Sequence, residues 1–500
     1  MLKGVQELGS PQLGGGLVTY PNFFAMQPTQ TPDSMDVKFL VGNSLEKRLG
    51  TQTMNTVVLE STAGWGVFDY GAGTGADGKP LRWLIVAAGT GVYASSNRGV
   101  TFVAIATDRG ANYQQFDRAG PILLAVSETG NRVLYWAGSV GTSMIGMPVN
   151  SVPPAKHVVA DFQGFTFLMN HSGGSRSIAY ADANTVTTNA WNNTFSLPSS
   201  LDDEITGGLV LYKKLYAFTR YKLFRISYVG GNPDFGYTEV KAWGAVSATI
   251  KKATFPEVGE VIICLGYDKK VRIFDGAEDK VISDQIELNN NISPISMSQI
   301  HEDHIQKCYA EVDPLEQVYK LFLVIRPSTE VTHAMCLNLR TGAWYPYRYP
   351  QRFMSATMAD SGNSRLLLAV AQTGYVHVMD SSNADVATAI PEYYTSPFYY
   401  PQNPRAVTKT HTADLYFAAT SSGTLFYEDR TDWNSTFTNK DTVSFAGVNT
   451  TQIVQVQKTI DVSYTQNVYQ FRVSDSASRA NPWKLNRVDM LGTNLGYGKA

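Results

Sequence analysis

Three consecutive carboxylates, Asp202, Asp203 and Glu204, stand just ahead of an apolar run that begins at Ile205. Clustered carboxylates can divide the roles of acid and base, as in glycoside hydrolysis. More often such a cluster is the solvated entry to a strand. Sialidase-type chemistry would also need an arginine triad and a nucleophilic tyrosine, and no spacing in the chain picks these out. HEDH at 301–304 lacks the two histidines four positions apart that a zinc helix requires, and no cysteine pair lies near it. It reads as a polar turn. GTGADGKP at 73–80 fits the first seven positions of a phosphate-binding loop, but Pro80 stands where a magnesium-binding hydroxyl belongs, and the strand-like RWLIVAAG follows where a helix should start. Seven histidines and no nucleophile elbow leave little for a Ser–His–Asp site. The expectation is a protein that is not an enzyme and holds no metal or cofactor.

The most specific local pattern is SSNRGVTF at 95–102. It resembles the Asp-box of sialidases and other propellers, S-x-D-x-G-x-T-W. Ser95, Asn97, Gly99 and Thr101 fill its positions, and Phe102 replaces the tryptophan. Its chemistry is structural: the Asx side chain and the glycine fix a tight turn, and the aromatic packs beneath it.

The elements around these residues repeat. GLVLYKKLYAFTRYKLFRISYVG at 208–230 is strand, two-lysine turn, strand, turn, strand, with apolar residues on both sides of the alternation. A strand covered on both faces belongs within stacked sheets. The same hairpin recurs at 82–96, 121–138, 165–182, 260–276, 317–339 and 365–380. The spacing of roughly 40–60 residues is that of propeller blades. The hairpins are read as the inner hairpins of an all-β propeller of about seven blades, six or eight being the neighbouring counts. A short helix is expected only at 245–254.

Composition agrees. Hydrophobic residues make up 43% of the 500 positions, so the chain can bury a large core, and only 17% are charged. A net charge of −2 offers no basic face for tight nucleic-acid binding. Cys264, Cys308 and Cys336 lie in apolar strands, an odd and sparse set that suits buried thiols in a reducing compartment. The N-terminus shows no apolar signal core and no run reaches transmembrane length. The expectation is synthesis in the cytoplasm and, if the protein leaves the cell, export without a signal peptide.

Residues 1–56 form an N-terminal extended strap and docking segment, whose first 32 residues are ordered only by docking onto a neighbour. Residues 57–390 hold the propeller. Residues 391–500 form a C-terminal β-sandwich-like region or propeller-capping strands. The proline-bounded stretch with Tyr393, Tyr394, Phe398, Tyr399 and Tyr400 reads as a sticky linker and candidate interaction patch.

Several segments in order resemble one family. PDSMDVKFLVGNSLEKRLG at 32–50 is similar to a P-D-x-x-x-V-x-F…G-x-L-x-K-R-x-G segment, with Leu49 where proline is common. Segments 178–191, 203–226 and 338–344 and the closing strands at 470–485 also match in sequence order. The chain resembles the short-tail nozzle, tail tubular B and stabilisation proteins of tailed phages. The resemblance implies a virion structural protein of tail or neck, made in the host bacterial cytoplasm. It also implies a homo-oligomeric ring, six copies being expected, below the adaptor or head–tail connector. Tail or fibre proteins would be neighbours, and DNA would pass only in transit and without specificity. A lumen poor in basic residues would let DNA slide, and Asp202, Asp203, Glu204, Glu278 and Asp279 are candidate channel-lining residues. Two other classes stay open. One is a propeller glycosidase, which would bring Asp, Glu, Tyr and Arg side chains to one mouth of the axis. The other is a lectin-like receptor binder using the tyrosines at 393–400.

Overall fold

The computed structural model describes residues 6–9, 13–19, 26–27, 29–60, 65–74, 80–139, 141–147, 152–182, 186–187, 191, 193–231, 234–289, 293, 295–360, 365–386, 388–399, 406–419, 423–431, 436–445, 454–466, 468–475 and 483–497. Among these residues the chain forms an all-β propeller of seven four-stranded antiparallel blades, with a β-sandwich packed on its rim. Blades one to six are continuous in sequence. Their innermost strands are Trp65–Thr74, Gln114–Ala119, Ala155–Phe162, Ile205–Leu211, Lys251–Phe255 and Tyr309–Asp313. Blade seven takes three strands from Phe353–Asp360, Arg365–Ala371 and Val376–Ser382, and its fourth from Gly50–Thr53 near the other end of the chain. Phe353–Asp360 packs beside Trp65–Thr74 and closes the ring.

Six of the recurring hairpins are not the inner ones but the second and third strands of a blade, as with Ile122–Ser127 and Leu134–Trp136, while 208–230 also takes in the end of the innermost strand Ile205–Leu211. The second strands are sandwiched on both faces and have sheet neighbours on both sides. Val318–Leu323 is buried at all six positions, so it reads as one apolar run. The inner strands border the axial cavity and carry Gln114, Gln115, Asp117, Lys251 and Lys252, which break that run. At 245–254 the chain forms a 3-10 turn, Ser247–Thr249, and then the strand Lys251–Phe255. Only the turn is helical there, because Lys251–Phe255 is needed as the inner edge of blade five.

Both chain ends build the sandwich. One sheet runs Asp33–Met35, Tyr393–Thr395, Tyr469–Asp475, Gly423–Thr431, Thr438–Phe445. The other runs Val37–Leu40, Ser44–Lys47, Trp483–Tyr497, Ala406–Ala419, Val454–Gln466, with Gln6–Gly9 beside Trp483–Tyr497. Phe39, Tyr394, Tyr427, Phe471 and Leu485 share one continuous core with Trp344 and Tyr345 of blade six.

The strap is docked on its own chain over much of its described length. The Leu17 N–H donates to the Trp344 carbonyl at 2.7 Å, the Thr19 N–H to the Gln285 carbonyl at 2.8 Å, and Leu13, Leu17 and Val18 are buried. Its apolar residues share a core with the outer strand of blade six and with Phe39 and Tyr394 of the sandwich, and Trp344–Arg348 is buried at four of five positions. The expectation of a strap ordered only by a neighbour does not hold for these residues.

Candidate functional site at one mouth of the propeller axis

In a four-stranded antiparallel blade, the turn from second to third strand and the connection into the next blade lie at the same end. Residues just after the second strand and just before the first therefore gather at one mouth of the axis. Here they come from blades two to six and surround a cavity of about 770 Å3. It shares Tyr113, Ser247 and Ala248 with an axial cavity of about 460 Å3, lined by all seven inner strands.

Glu204 is the centre of the mouth. Its carboxylate accepts from Asn170 Nδ2 at 3.1 Å, pairs with Lys156 Nζ at 3.2 Å, and pairs with the Arg220 guanidinium. Burial pushes this carboxyl up, but Lys156, Arg220 and Asn170 outweigh it and hold Glu204 below the usual range. Arg220 lies over the Tyr267 ring at 5.7 Å. Burial pushes the Tyr267 hydroxyl up to about 12. Glu128 also lines the mouth, close to the Tyr113 backbone N–H, and makes no direct ion pair among the described residues. Burial raises it, Lys156 opposes this, and Glu204 adds to it. His157 Nδ1 is 3.3 Å from Gln115 Oε1 and 3.4 Å from Ser247 Oγ, and burial pulls this imidazole down to about 4, so it is neutral.

The three consecutive carboxylates separate. Asp202 is exposed. Asp203 is fully buried, so it cannot line a channel. It accepts the N–H groups of Glu204 and Arg220, each at 2.9 Å, and the Ser199 hydroxyl, which ties the entry of blade four to its own second turn. Glu204 faces the mouth. Asp279 lies on the outer strand of blade five, where it pairs with Lys241 at 2.7 Å, and Glu278 sits 3.9 Å from the same ammonium. These two are on the rim, far along the blade from the axial cavity.

The tyrosine patch is interior. Tyr394 is fully buried in the core, and Phe398 is buried beneath Arg430 at 5.3 Å. Tyr393 donates to Asp33 Oδ1 at 2.9 Å, and Tyr399 stacks on Phe471 at 6.2 Å. Tyr393–Thr395 is a sheet strand, so these rings are consumed in packing and offer no exposed patch. Tyr400 lies outside the described residues.

The Asx turn closes between the third and fourth strands of blade one. Asn97 Oδ1 accepts the Thr101 N–H at 2.9 Å, and Ser95 Oγ accepts the Gly99 N–H at 2.8 Å. Gly99 has φ 95°, a conformation that favours glycine. Phe102 packs against the core below. The HEDH segment enters a 3-10 helix, Glu302–Lys307, and no group of three metal-ligating side chains occurs among the described residues. Of the 73–80 loop, Thr74 pairs with Pro80, and 75–79 lie outside the described residues. The three cysteines are free thiols, buried and pushed up to about 12.

Sequence reasoning missed Glu128, Lys156, Asn170, Arg220 and Tyr267. A signal was available: Glu128 and Arg220 each directly follow the last residue of a second strand.

No family model matches the chain, and no curated protein does. Among solved structures, the chain is similar to BBS1N from a crystal structure of its complex with ARL6DN, soaked with lead. The identity is 11% and the TM-score 0.39, covering 68% of this chain and 98% of that one. It is also similar to the extracellular domain of the putative one component system BT4673 from B. thetaiotaomicron, at 7% identity and TM-score 0.40. That match covers 90% of this chain and 64% of that one. Among the described residues no helix is long and apolar enough to cross a membrane.

Proposed function

We propose that the chain is a structural protein of a phage tail or neck, assembled with further copies of itself into a nozzle-like ring below an adaptor. One observation supports this most. Both chain ends are built into a sandwich, which buried Arg48 ties to the propeller rim through Asp385 and the Arg348 carbonyl, while buried Lys47 pairs with Glu392 and Asp475 within it. The result is a single rigid body with fixed outer surfaces, which suits repeated placement around a symmetry axis. The order of phage-like segments along the chain points the same way. The axial cavity of about 460 Å3 is bounded by side chains from all seven inner strands and is too small for a duplex. DNA would pass between subunits instead. DNA carries one negative charge per about 1.7 Å of axis, so a lumen poor in lysine and arginine would let it slide. Reconstruction of particles containing the chain tests this reading. A peripheral fibre position, or a lumen lined with basic side chains, would overturn it.

The convergence of Glu128, Glu204, Arg220, Tyr113 and Tyr267 on one mouth favours a second reading, a propeller that acts on glycosides. Two carboxyls shifted in opposite directions are the arrangement that acid and base roles need. Turnover of aryl glycosides, abolished by Glu128→Gln, would establish it over the ring reading. Absence of turnover leaves the ring reading in place.

A further inference from the structure

We propose that the mouth formed by blades two to six binds an amino saccharide, a short chain of hexosamine units. Only binding is claimed, and it depends on neither reading of the overall function. The cavity of about 770 Å3 lies within the size range of small-molecule pockets, which run from roughly 300 to 1,000 Å3. Its polar groups are mixed. Lys156, Asn170 and Arg220 donate, while Glu128 and Glu204 accept. A sugar hydroxyl both donates and accepts, so a wall carrying both kinds of group can satisfy it. Tyr113 and Tyr267 add aromatic surface for the apolar face of a sugar ring. A lysine side chain from a protein partner would instead want an apolar sleeve, and the lining supplies only Ile205, Ala248 and Ile305.

Charge selects among sugars. Four carboxylates line the mouth, Glu128, Glu204, Glu302 and Asp303, against two cations, Lys156 and Arg220. Both cations are engaged by Glu204, and Glu302 is paired with Lys269. Glu128 makes no direct ion pair among the described residues, Lys156 acting on it only through space, and it is the place for a ligand ammonium. The site is also rigid: Asp203 fixes the backbone of Glu204 and Arg220 before any ligand arrives.

Calorimetric titration of the full chain at mildly acidic pH tests this. The probes are glucosamine tetramer, N-acetylglucosamine tetramer and tetralysine. The expected result is saturable binding of both saccharides, with the glucosamine tetramer tighter by about tenfold, or about 1.4 kcal/mol. Glu128→Gln should erase that preference while leaving N-acetylglucosamine binding in place, and Tyr267→Ala should weaken both. No saturable binding of the glucosamine tetramer would overturn the proposal. So would a preference that survives Glu128→Gln, or tetralysine binding as tightly as the saccharide.

Discussion

Arg48 and Asp385, 337 positions apart, form a two-pronged ion pair inside the protein, with Nη1 2.9 Å from Oδ1 and Nη2 on Oδ2. The same guanidinium donates through Nε to Asp36 Oδ1 at 2.8 Å and through Nη2 to the Arg348 carbonyl at 2.7 Å. It lies over the Tyr349 ring at 4.5 Å. One side chain therefore joins the sandwich, the outer strand of blade six and the end of blade seven. Lys47 repeats the arrangement next door, 3.0 Å from Glu392 and 3.2 Å from Asp475.

Arg48→Met should destabilise the protein by about 3–5 kcal/mol, because it leaves two buried carboxylates facing each other without their cation. Arg48→Lys should rescue only part of this loss, since an ammonium cannot reproduce the fork or the ring stacking. Denaturant midpoints of the two variants measure both effects. A wild-type midpoint in Arg48→Met would refute the assignment.

Stability should fall as pH rises from about 6.5 to 8. Burial pushes the Glu392 carboxyl up to about 8, Lys47 opposes this, and Asp475 adds to it. Glu392 Oε2 and Asp475 Oδ1 are both buried without a hydrogen-bond partner, which suits a proton held between them. A raised carboxyl keeps its proton in the fold above the pH at which the unfolded chain loses it. Its contribution is therefore complete at low pH and is lost as pH rises through about 8. Buried Asp36 is shifted in the same direction. At lower pH the sign reverses for His157, His333 and His377, each pulled by burial down to about 4, and their contribution is lost as pH falls below 6.5. Unfolding free energies across this range should show a negative slope above neutrality, with an upper limit for one group of about 1.4 kcal/mol per pH unit. Glu392→Gln should flatten it, and an unchanged slope would exclude Glu392 as its source.

The fold was legible where burial makes sequence simple. The second strands, such as Val318–Leu323, are apolar at nearly every position and announce themselves. The inner strands are hidden because residues such as Asp117 and Lys251 border a polar axial cavity. The outer strands are hidden because they face solvent, as Asn193–Ser196 does. Lys47 and Arg48 look like a surface basic step, since their carboxylate partners at 385, 392 and 475 lie hundreds of residues away. The same distance in sequence conceals the mouth, whose side chains come from five blades. Glu204 stood out through neighbours whose roles proved different from its own, and Glu302 and Asp303 stood out in a segment that read as a polar turn.

Asp203→Ala should destabilise by about 1–3 kcal/mol, because the Glu204 N–H loses its acceptor and the Arg220 N–H keeps only the Glu204 carbonyl at 3.2 Å. Asp202→Ala, at an exposed position, should stay within about 0.5 kcal/mol of wild type. Thermal unfolding of the pair separates a structural carboxylate from a solvated one. Equal effects would show that Asp203 does not hold the turn.

Closure of the ring depends on a strand borrowed from the start of the chain. Gly50–Thr53 pairs with Val376–Ser382, matching Thr53 with His377 and Gly50 with Ser382. Among the described residues no other strand pairs with that edge of blade seven, and an unpaired third strand beside blade one would leave the ring open. Gly50 sits so close to the turn that follows Val376–Ser382 that an added Cβ would run into the Ala384 carbonyl oxygen and lie 2.9 Å from the Asp385 nitrogen. Moving that turn also moves Asp385 away from Arg48. Gly50→Ala should therefore cost about 1–3 kcal/mol, as overpacking does. Gly71→Ala is the control, because its added Cβ meets only the end of the Arg118 side chain at 3.5 Å. Removing residues 1–53 should do more: it deletes the fourth strand of blade seven together with Lys47 and Arg48, and the cooperative unfolding transition should be lost. A truncated chain that keeps the full-length transition would show that the propeller closes without its borrowed strand.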